Sequence, residues 1–278
     1  MKQYTLSNGV KIPALGFGTW QIKDGQEAID AVKEAIKQGF RHIDTAAIYG
    51  NETGVGQGII DSGIPREEIF LTTKLWNSDQ GYESTLKAFE LSLKKLKTDY
   101  VDLYLIHWPA VNLHKDYKQK NLDTWRAFEE LYKKGKVKAI GVCNYFEHHM
   151  DYLLEHATIK PMVNQIEINP GHPAFSVVEH NQKHGILVQG YSPMMKGKIF
   201  ELPELKVIAD KHKKTVSQVV LRWLIQRDIN PLSKSITPKR IHENIDIFDF
   251  ELTKSDMDVL NAFEHLGRVG VHPDDAQF

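Results

Sequence analysis

The 278-residue sequence holds a single cysteine, Cys143. One thiol excludes an internal disulfide framework and fits a reducing, cytoplasmic compartment. Net charge is nearly absent, with a formal value of −1 at pH 7. That excludes the global basic field that holds nucleic acid or an anionic membrane, although a local cationic cluster could still hold a phosphate. No apolar run approaches the length of a membrane-spanning helix. The opening stretch, MKQYTLSNGVKIP, lacks the apolar core of a signal peptide and reads as mature protein. No linker rich in Pro, Gly or Ser divides the chain, so residues 1–278 read as one domain.

What is present is alternation. The Asn8-Gly9 pair between short alternating runs predicts a β-hairpin ahead of the main fold. Short apolar strands then alternate with helical periods. ALGFGTW precedes a helix over 26–38, FRHID one over 51–60, EIFLTTKLW one over 84–97 and YVDLYLIHW one over 121–133. VKAIGVCN precedes 147–156, PMVNQIEIN precedes 177–184, ILVQGYSP precedes 204–213 and 217–226, and PLSKSI precedes 238–245. The helix over 84–97 sets Leu86, Phe89, Leu93 and Leu96 on one face. A C-terminal helix follows Thr253, a good N-cap. About eight strand–helix units in roughly 250 residues predict an α/β fold, a (β/α)8 TIM barrel with an N-terminal β-hairpin and a C-terminal helix. A doubly wound sheet is the rival. It needs G-x-G-x-x-G after the first strand and an acid about 20 residues on. The first strand offers only Gly16-Phe17-Gly18, and the glycines over 54–58 fall inside a helical stretch.

In such a barrel, active-site residues sit at the C-terminal ends of the strands. In order, those ends carry Thr19 and Trp20; Asp44, with Tyr49 in the loop beyond; Lys74 and Trp76; and His107 and Trp108. Cys143 and Asn144, Gln165 and Glu167, Tyr191 and Ser192, and Lys234 and Ser235 complete the ring. Taken singly, each has an ordinary explanation: a surface tyrosine, a solvated lysine, a buried histidine, a helix-capping aspartate. Gathered at one mouth, acid, phenol, ammonium and imidazole suit carbonyl reduction. Hydride arriving at a carbonyl carbon leaves charge on oxygen, and a proton must follow. A free phenol titrates near pH ~10. Lys74 is expected to lower that value by favouring phenolate, and Asp44 to hold Lys74 in place. His107 would orient the carbonyl oxygen, and Trp20, Trp76 and Trp108 would form apolar walls for the substrate beside Tyr49.

At these residues the sequence resembles the aldo-keto reductases, over nearly its whole length. GFRHIDTAAIYGNE is similar to the family's segment around its catalytic Asp and Tyr, TKLW to the one carrying its Lys, and DLYLIHWP to the one carrying its His. The resemblance implies a tetrad of Asp44, Tyr49, Lys74 and His107, with Tyr49 as proton donor in the NADPH-dependent reduction of aldehydes and ketones. It points to the bacterial and lower-eukaryotic branch near the 2,5-diketo-gluconate and glyoxal reductases. The implied partner is a small-molecule carbonyl substrate, α-dicarbonyls included, and the family default is a monomer, with oligomers left open. NADPH would bind without a Rossmann fold, with Thr19, Trp20 and Asp44 among its contacts. Asn144 and Gln165 would meet the nicotinamide carboxamide, Tyr191 would stack on the ring, and Ser192 would lie near the pyrophosphate. Lys234, Ser235 and Arg240 would hold the 2′-phosphate, and Glu243 and Asn244 would meet adenine. Three places depart from the family pattern, one being Met194 and Met195 after Ser192-Pro193, where Leu is common at the first position. Cys143 stands where Ser is usual beside Asn144, with the loss of one hydrogen bond. Ser233 stands where Pro is usual, leaving the backbone before Lys234 less constrained.

The histidines invite a metal reading. His180 and His184 lie four apart, but the glutamate of a zinc-protease helix is missing. His148 and His149 are adjacent, so their rings are expected to point apart on a helix. No metal site is expected. A metal-dependent barrel hydrolase would need clustered ligands at strand ends, where only His107 stands. A cofactor-sensing binding subunit of a larger assembly is the other rival, and the intact four-residue set argues against it.

Overall fold

The computed structural model describes residues 2–278. Strands β1 (Gln3–Thr5) and β2 (Lys11–Pro13) form the expected antiparallel hairpin, with Tyr4 opposite Ile12. Gly9 turns it at φ 87°, a left-handed value that glycine adopts without a Cβ clash. Tyr4 Oη donates to the Ile229 carbonyl and Asn8 Nδ2 to that of Lys138. Both partners lie at the start of barrel strands, so the hairpin covers the barrel floor.

Eight parallel strands follow: β3 (Gly16–Gly18), β4 (His42–Asp44), β5 (Phe70–Leu75), β6 (Val101–Ile106), β7 (Val137–Cys143), β8 (Val163–Glu167), β9 (Leu187–Tyr191) and β10 (Asn230–Ser233). They pair in chain order, and β10 pairs back onto β3 to close the barrel. Every residue of β5 and β6 is buried. That is the consequence of a parallel sheet covered on both faces; β6 accordingly reads as a mostly apolar run, while β5 also buries Thr72, Thr73 and Lys74.

The helices between them are α1 (Gln26–Lys37), α2 (Glu52–Asp61), α3 (Tyr82–Leu96), α4 (Tyr117–Lys133), α5 (Glu147–His156), α6 (Phe175–Lys183), α7 (Pro203–His212), α8 (Val216–Gln226) and α9 (Pro238–Ile245). α10 (Lys254–Asn261) is the C-terminal helix, and Thr253 caps it by accepting the Asp256 N–H. Phe89, Leu93 and Leu96 of α3 face the core as their spacing predicts, while Leu86 is only partly buried. Three helix starts differ from expectation by two residues or more. α3 begins at Tyr82 rather than Ser84. α4 begins at Tyr117 rather than Asn121, because the Asp116 carboxylate accepts the Gln119 N–H and caps it there. α6 begins at Phe175 rather than Val177. Between β9 and α7 an unforeseen stretch of 3-10 turns covers Met195–Glu201.

The glycines over 54–58 lie where neighbouring elements approach α2 closely, on two of its faces. A Cβ on Gly54 would meet Ala28 Cβ at 2.7 Å, and one on Gly58 would meet Val32 Cβ at 2.9 Å, both on α1. On Gly56 it would meet the Leu96 carbonyl oxygen at 2.4 Å, at the end of α3. Backbone cannot yield as a flexible side chain can. Gly56→Ala is therefore expected to destabilise the fold by about 2 kcal/mol through overpacking. Urea unfolding measures this, and an unchanged midpoint would contradict the close approach.

Candidate active site

The mouth of the barrel gathers the residues that follow its strands. Asp44 ends β4 and Lys74 lies in β5, on adjacent strands whose registers place them together. Lys74 Nζ donates to Asp44 Oδ1 at 2.6 Å, to the Thr45 carbonyl at 2.9 Å and to Tyr49 Oη at 3.2 Å. Its three hydrogens are thus all used. Burial pulls the pKa of this fully enclosed amine down. The charge and hydrogen bond of Asp44, with Tyr49 and Cys143, together outweigh burial, and the net shift is upward, so Lys74 stays an ammonium.

Tyr49 closes a short 3-10 turn, Ala47–Tyr49, and lies partly exposed beside the cleft. Its oxygen accepts from Lys74, so its own hydrogen is free to point outward. The expected fall in its pKa does not occur. Burial pushes the phenol up to about 12, against the downward pull of Lys74. Desolvation of a phenolate here exceeds the attraction of one ammonium that already serves a carboxylate.

His107, just beyond β6, packs edge-on against Tyr49 and Trp76, with ring centroids 5.7 and 5.3 Å away. Burial first, and the Lys74 charge second, hold its pKa well below the ordinary range. It is therefore a neutral imidazole at physiological pH. Nδ1 is enclosed without a partner among the described residues, which leaves Nε2 as the ring nitrogen open to the cleft.

Thr19 is fully buried, and its hydroxyl donates to the Asp44 carbonyl, so it braces the strand end. Asn144 sits at φ 64°, a left-handed conformation that Asn tolerates better than most residues. Its Nδ2 donates to the His107 carbonyl, and its Oδ1 accepts from Tyr191 Oη at 2.7 Å. Gln165 Nε2 donates to Asp44 Oδ2 at 2.9 Å, while among the described residues its Oε1 has only the Cys143 Sγ, 3.9 Å away. Burial pushes the Cys143 thiol up, so it is no nucleophile.

Lys234, Ser235 and Arg240 lie around the start of α9. Both cations are exposed, and neither makes an ion pair among the described residues. The Thr237 side chain makes no cap there. Free backbone N–H groups beside two unpaired cations suit a phosphate. Ser233 pairs with Phe17 in the β10–β3 ladder, so the sheet holds the backbone that a proline would otherwise fix. Glu243 lies 3.8 Å from Lys239, and Asn244 is buried. Trp20 is 46% exposed at the rim, and Ser192 is partly buried after β9.

The chain's last residues join this site, and strand-end reading missed them. Phe278 stacks on Trp76 with centroids 5.7 Å apart and meets Trp108 edge-on at 5.2 Å. Asn77 donates to the Phe278 backbone oxygen, and Asn112 to those of Asp274 and Ala276. Glu167, buried at the end of β8, accepts the N–H groups of Val269 and Gly270 at 2.7 and 2.9 Å and faces Arg268 at 3.5 Å. The tail has no periodicity to betray it.

The histidines also correct an expectation. The rings of His148 and His149 do not point apart: their centroids are 3.9 Å apart, and both Nε2 atoms approach Asp274 Oδ1, at 3.1 and 2.9 Å. His149 Nδ1 accepts the Phe146 N–H. Its Nε2 must then carry the ring hydrogen, and it meets the carboxylate off the hydrogen-bond axis as an N–H, not as a lone pair for a metal. The cluster ties the tail to α5. His180 instead bonds Asp151, and His184 bonds the His180 carbonyl.

Glu167→Gln keeps one acceptor oxygen and removes the charge under two tail amides. Amide exchange at Val269 and Gly270 should then quicken by about tenfold. Exchange that is unchanged by mass spectrometry or NMR would contradict the strap.

Comparison with known proteins agrees with this geometry. The sequence profile of the aldo/keto reductase family matches residues 14–265. A glyoxal reductase of Bacillus subtilis (strain 168) is 51% identical over 273 residues, spanning 98% of this chain and 96% of its own. Among solved structures, an aldo-keto reductase from a Medee basin deep-sea metagenome library is 46% identical, with full coverage of both chains and a TM-score of 0.94. An aldo-keto reductase of Bombyx mori in complex with NADP is 36% identical over 97% of this chain and 95% of its own, with a TM-score of 0.89. The chain belongs to the aldo/keto reductase family.

Proposed function

We propose that the protein reduces aldehydes and ketones, α-dicarbonyls included, with NADPH, as one barrel domain over residues 1–278. The single cysteine supports a cytoplasmic setting, and a monomer is the simplest form of the reading. The observation that carries it is Lys74 bonded to Tyr49 beside a neutral His107. The glyoxal reductase relative supports the α-dicarbonyl part.

NADPH, when bound, supplies the hydride that reaches the carbonyl carbon. Lys234, Ser235 and Arg240 would hold its 2′-phosphate, with Glu243 and Asn244 toward the adenine. Ser192 would lie near the pyrophosphate, and Thr19, Trp20 and Asp44 complete the nucleotide's surroundings. Asn144 and Gln165 would meet the carboxamide, and Tyr191 would face the nicotinamide ring. His107, neutral, donates its Nε2 hydrogen to the carbonyl oxygen and orients it. Tyr49 gives its proton to that oxygen as charge develops, and the phenolate left behind is met by the Lys74 ammonium. Trp20, Trp76 and Trp108 wall the substrate from water.

A proton donor must be protonated before the reaction, so a phenol held up to about 12 is in the correct state across neutral pH. Lys74 then acts on the product phenolate more than on the resting phenol. The rate of reduction should stay flat from neutral into mildly alkaline pH and fall only as the phenol ionises. A fall centred at or below the ordinary phenol value of about 10 would contradict this. Tyr49→Phe should retain NADPH binding and lose about 100-fold or more in turnover of a reactive aldehyde. Near wild-type turnover would remove Tyr49 as the donor. Lys234→Ala and Arg240→Ala should each weaken NADPH by about tenfold or more and leave NADH nearly unaffected. Equal losses for both cofactors would remove the 2′-phosphate assignment.

A further inference from the structure

Beneath the tetrad, three buried amides cross the barrel side by side. Gln165 of β8 pairs in register with Gln189 of β9, and Gln189 pairs with Asn230 of β10. Gln189 and Asn230 are 0% exposed, and Gln165 is 2% exposed. Gln165 Nε2 donates to Asp44 Oδ2 at 2.9 Å and to Gln189 Oε1 at 3.1 Å. Gln189 Nε2 donates to Asn230 Oδ1 at 2.7 Å, and Asn230 Nδ2 donates to the Pro13 carbonyl at 3.0 Å. The chain of bonds thus runs from the catalytic mouth to the hairpin on the floor.

The polarity of this chain is fixed at both ends. A carbonyl and a carboxylate only accept. The Pro13 carbonyl requires the NH2 of Asn230, which turns Asn230 Oδ1 toward Gln189. Gln189 must then present its NH2 to Asn230 and its oxygen to Gln165. Both hydrogens of Gln165 are used, one on Gln189 and one on Asp44. Among the described residues its oxygen is left with only the Cys143 thiol at 3.9 Å, a weak contact. A flipped Gln165 would set that oxygen against two others, Asp44 Oδ2 and Gln189 Oε1, at a buried position where unpaired polar groups are costly.

We propose that Gln189 and Asn230 are positioning residues, a relay anchored on Pro13 that locks the Gln165 amide with its oxygen as the free acceptor beside the cofactor cleft. An acceptor there selects an N–H donor, such as the carboxamide NH2 of a nicotinamide, over a ligand that offers a carbonyl. Neither residue touches substrate or cofactor; both act through Gln165. The inference rests on the reading of Gln165 as a carboxamide contact.

The test is a double-mutant cycle on the full chain, read as NADPH affinity by fluorescence titration. Gln189→Met removes both hydrogen-bonding functions at similar volume. In the wild-type background it should weaken NADPH about tenfold, and in the Gln165→Met background less than about twofold, because its only route to the cofactor is gone. A merely structural role would give the same loss in both backgrounds. That result, or no loss in the wild-type background, overturns the relay. Asn230→Leu gives the same comparison one bond further from the cleft if Gln189→Met does not fold. Gln165→Met binding NADPH as the wild type does would sink the carboxamide contact and the relay, leaving the reductase reading intact. A wild-type chain that does not bind NADPH would sink all three.

Discussion

The site depends on one ion pair: the Lys74 ammonium held against Asp44 inside the barrel at 2.6 Å. Their attraction is roughly 6 kcal/mol at an effective dielectric near 20. Removing each ion from water costs several kcal/mol, so the pair by itself adds little to stability. It persists because the other ammonium hydrogens and the second carboxylate oxygen also have partners: the Thr45 carbonyl and Tyr49 for the hydrogens, and a Gln165 N–H for the oxygen. The arrangement places a charge that cannot move away directly behind the Tyr49 phenol, the proposed proton donor.

That geometry makes the chemistry directional. Burial keeps the phenol protonated and the His107 imidazole neutral, so both hydrogen donors that face the cleft are ready before a carbonyl arrives. Preorganised donors in an enclosed site need little rearrangement as negative charge grows on oxygen. The wall is completed from far away in the sequence. Phe278 covers Trp76 and Trp108, and Glu167 holds the tail that brings it there. The loop ends of the barrel thus carry the proposed reacting groups, and an aperiodic tail covers part of their surroundings.

Much of this was legible in the sequence, for physical reasons. Strands sandwiched between two layers are buried along their whole length, as in FLTTKL and VDLYLI, and helices such as α3 carry their buried face at a helical period. The order of units then fixes which strand ends share the mouth, which is how Asp44, Tyr49, Lys74 and His107 could be grouped before any coordinates. What failed was whatever depended on partners remote in sequence. His148 and His149 turn to a common side because Asp274 lies there. The start of α4 at Tyr117 is the exception, a local miss, because the Asp116 side chain caps it by accepting the Gln119 N–H three residues on. The sign of the Tyr49 shift depends on how completely the protein surrounds it, and a list of neighbouring charges does not contain that quantity.

The central claim is that Asp44 keeps a fully buried Lys74 charged. Side-chain NMR of the protein labelled with 15N-lysine measures this directly. As pH rises through the ordinary lysine pKa of about 10.4, surface lysines should titrate while the Lys74 nitrogen keeps its ammonium shift, and Asp44→Asn should abolish that resistance. A Lys74 signal that deprotonates with the surface lysines or before them would contradict the account.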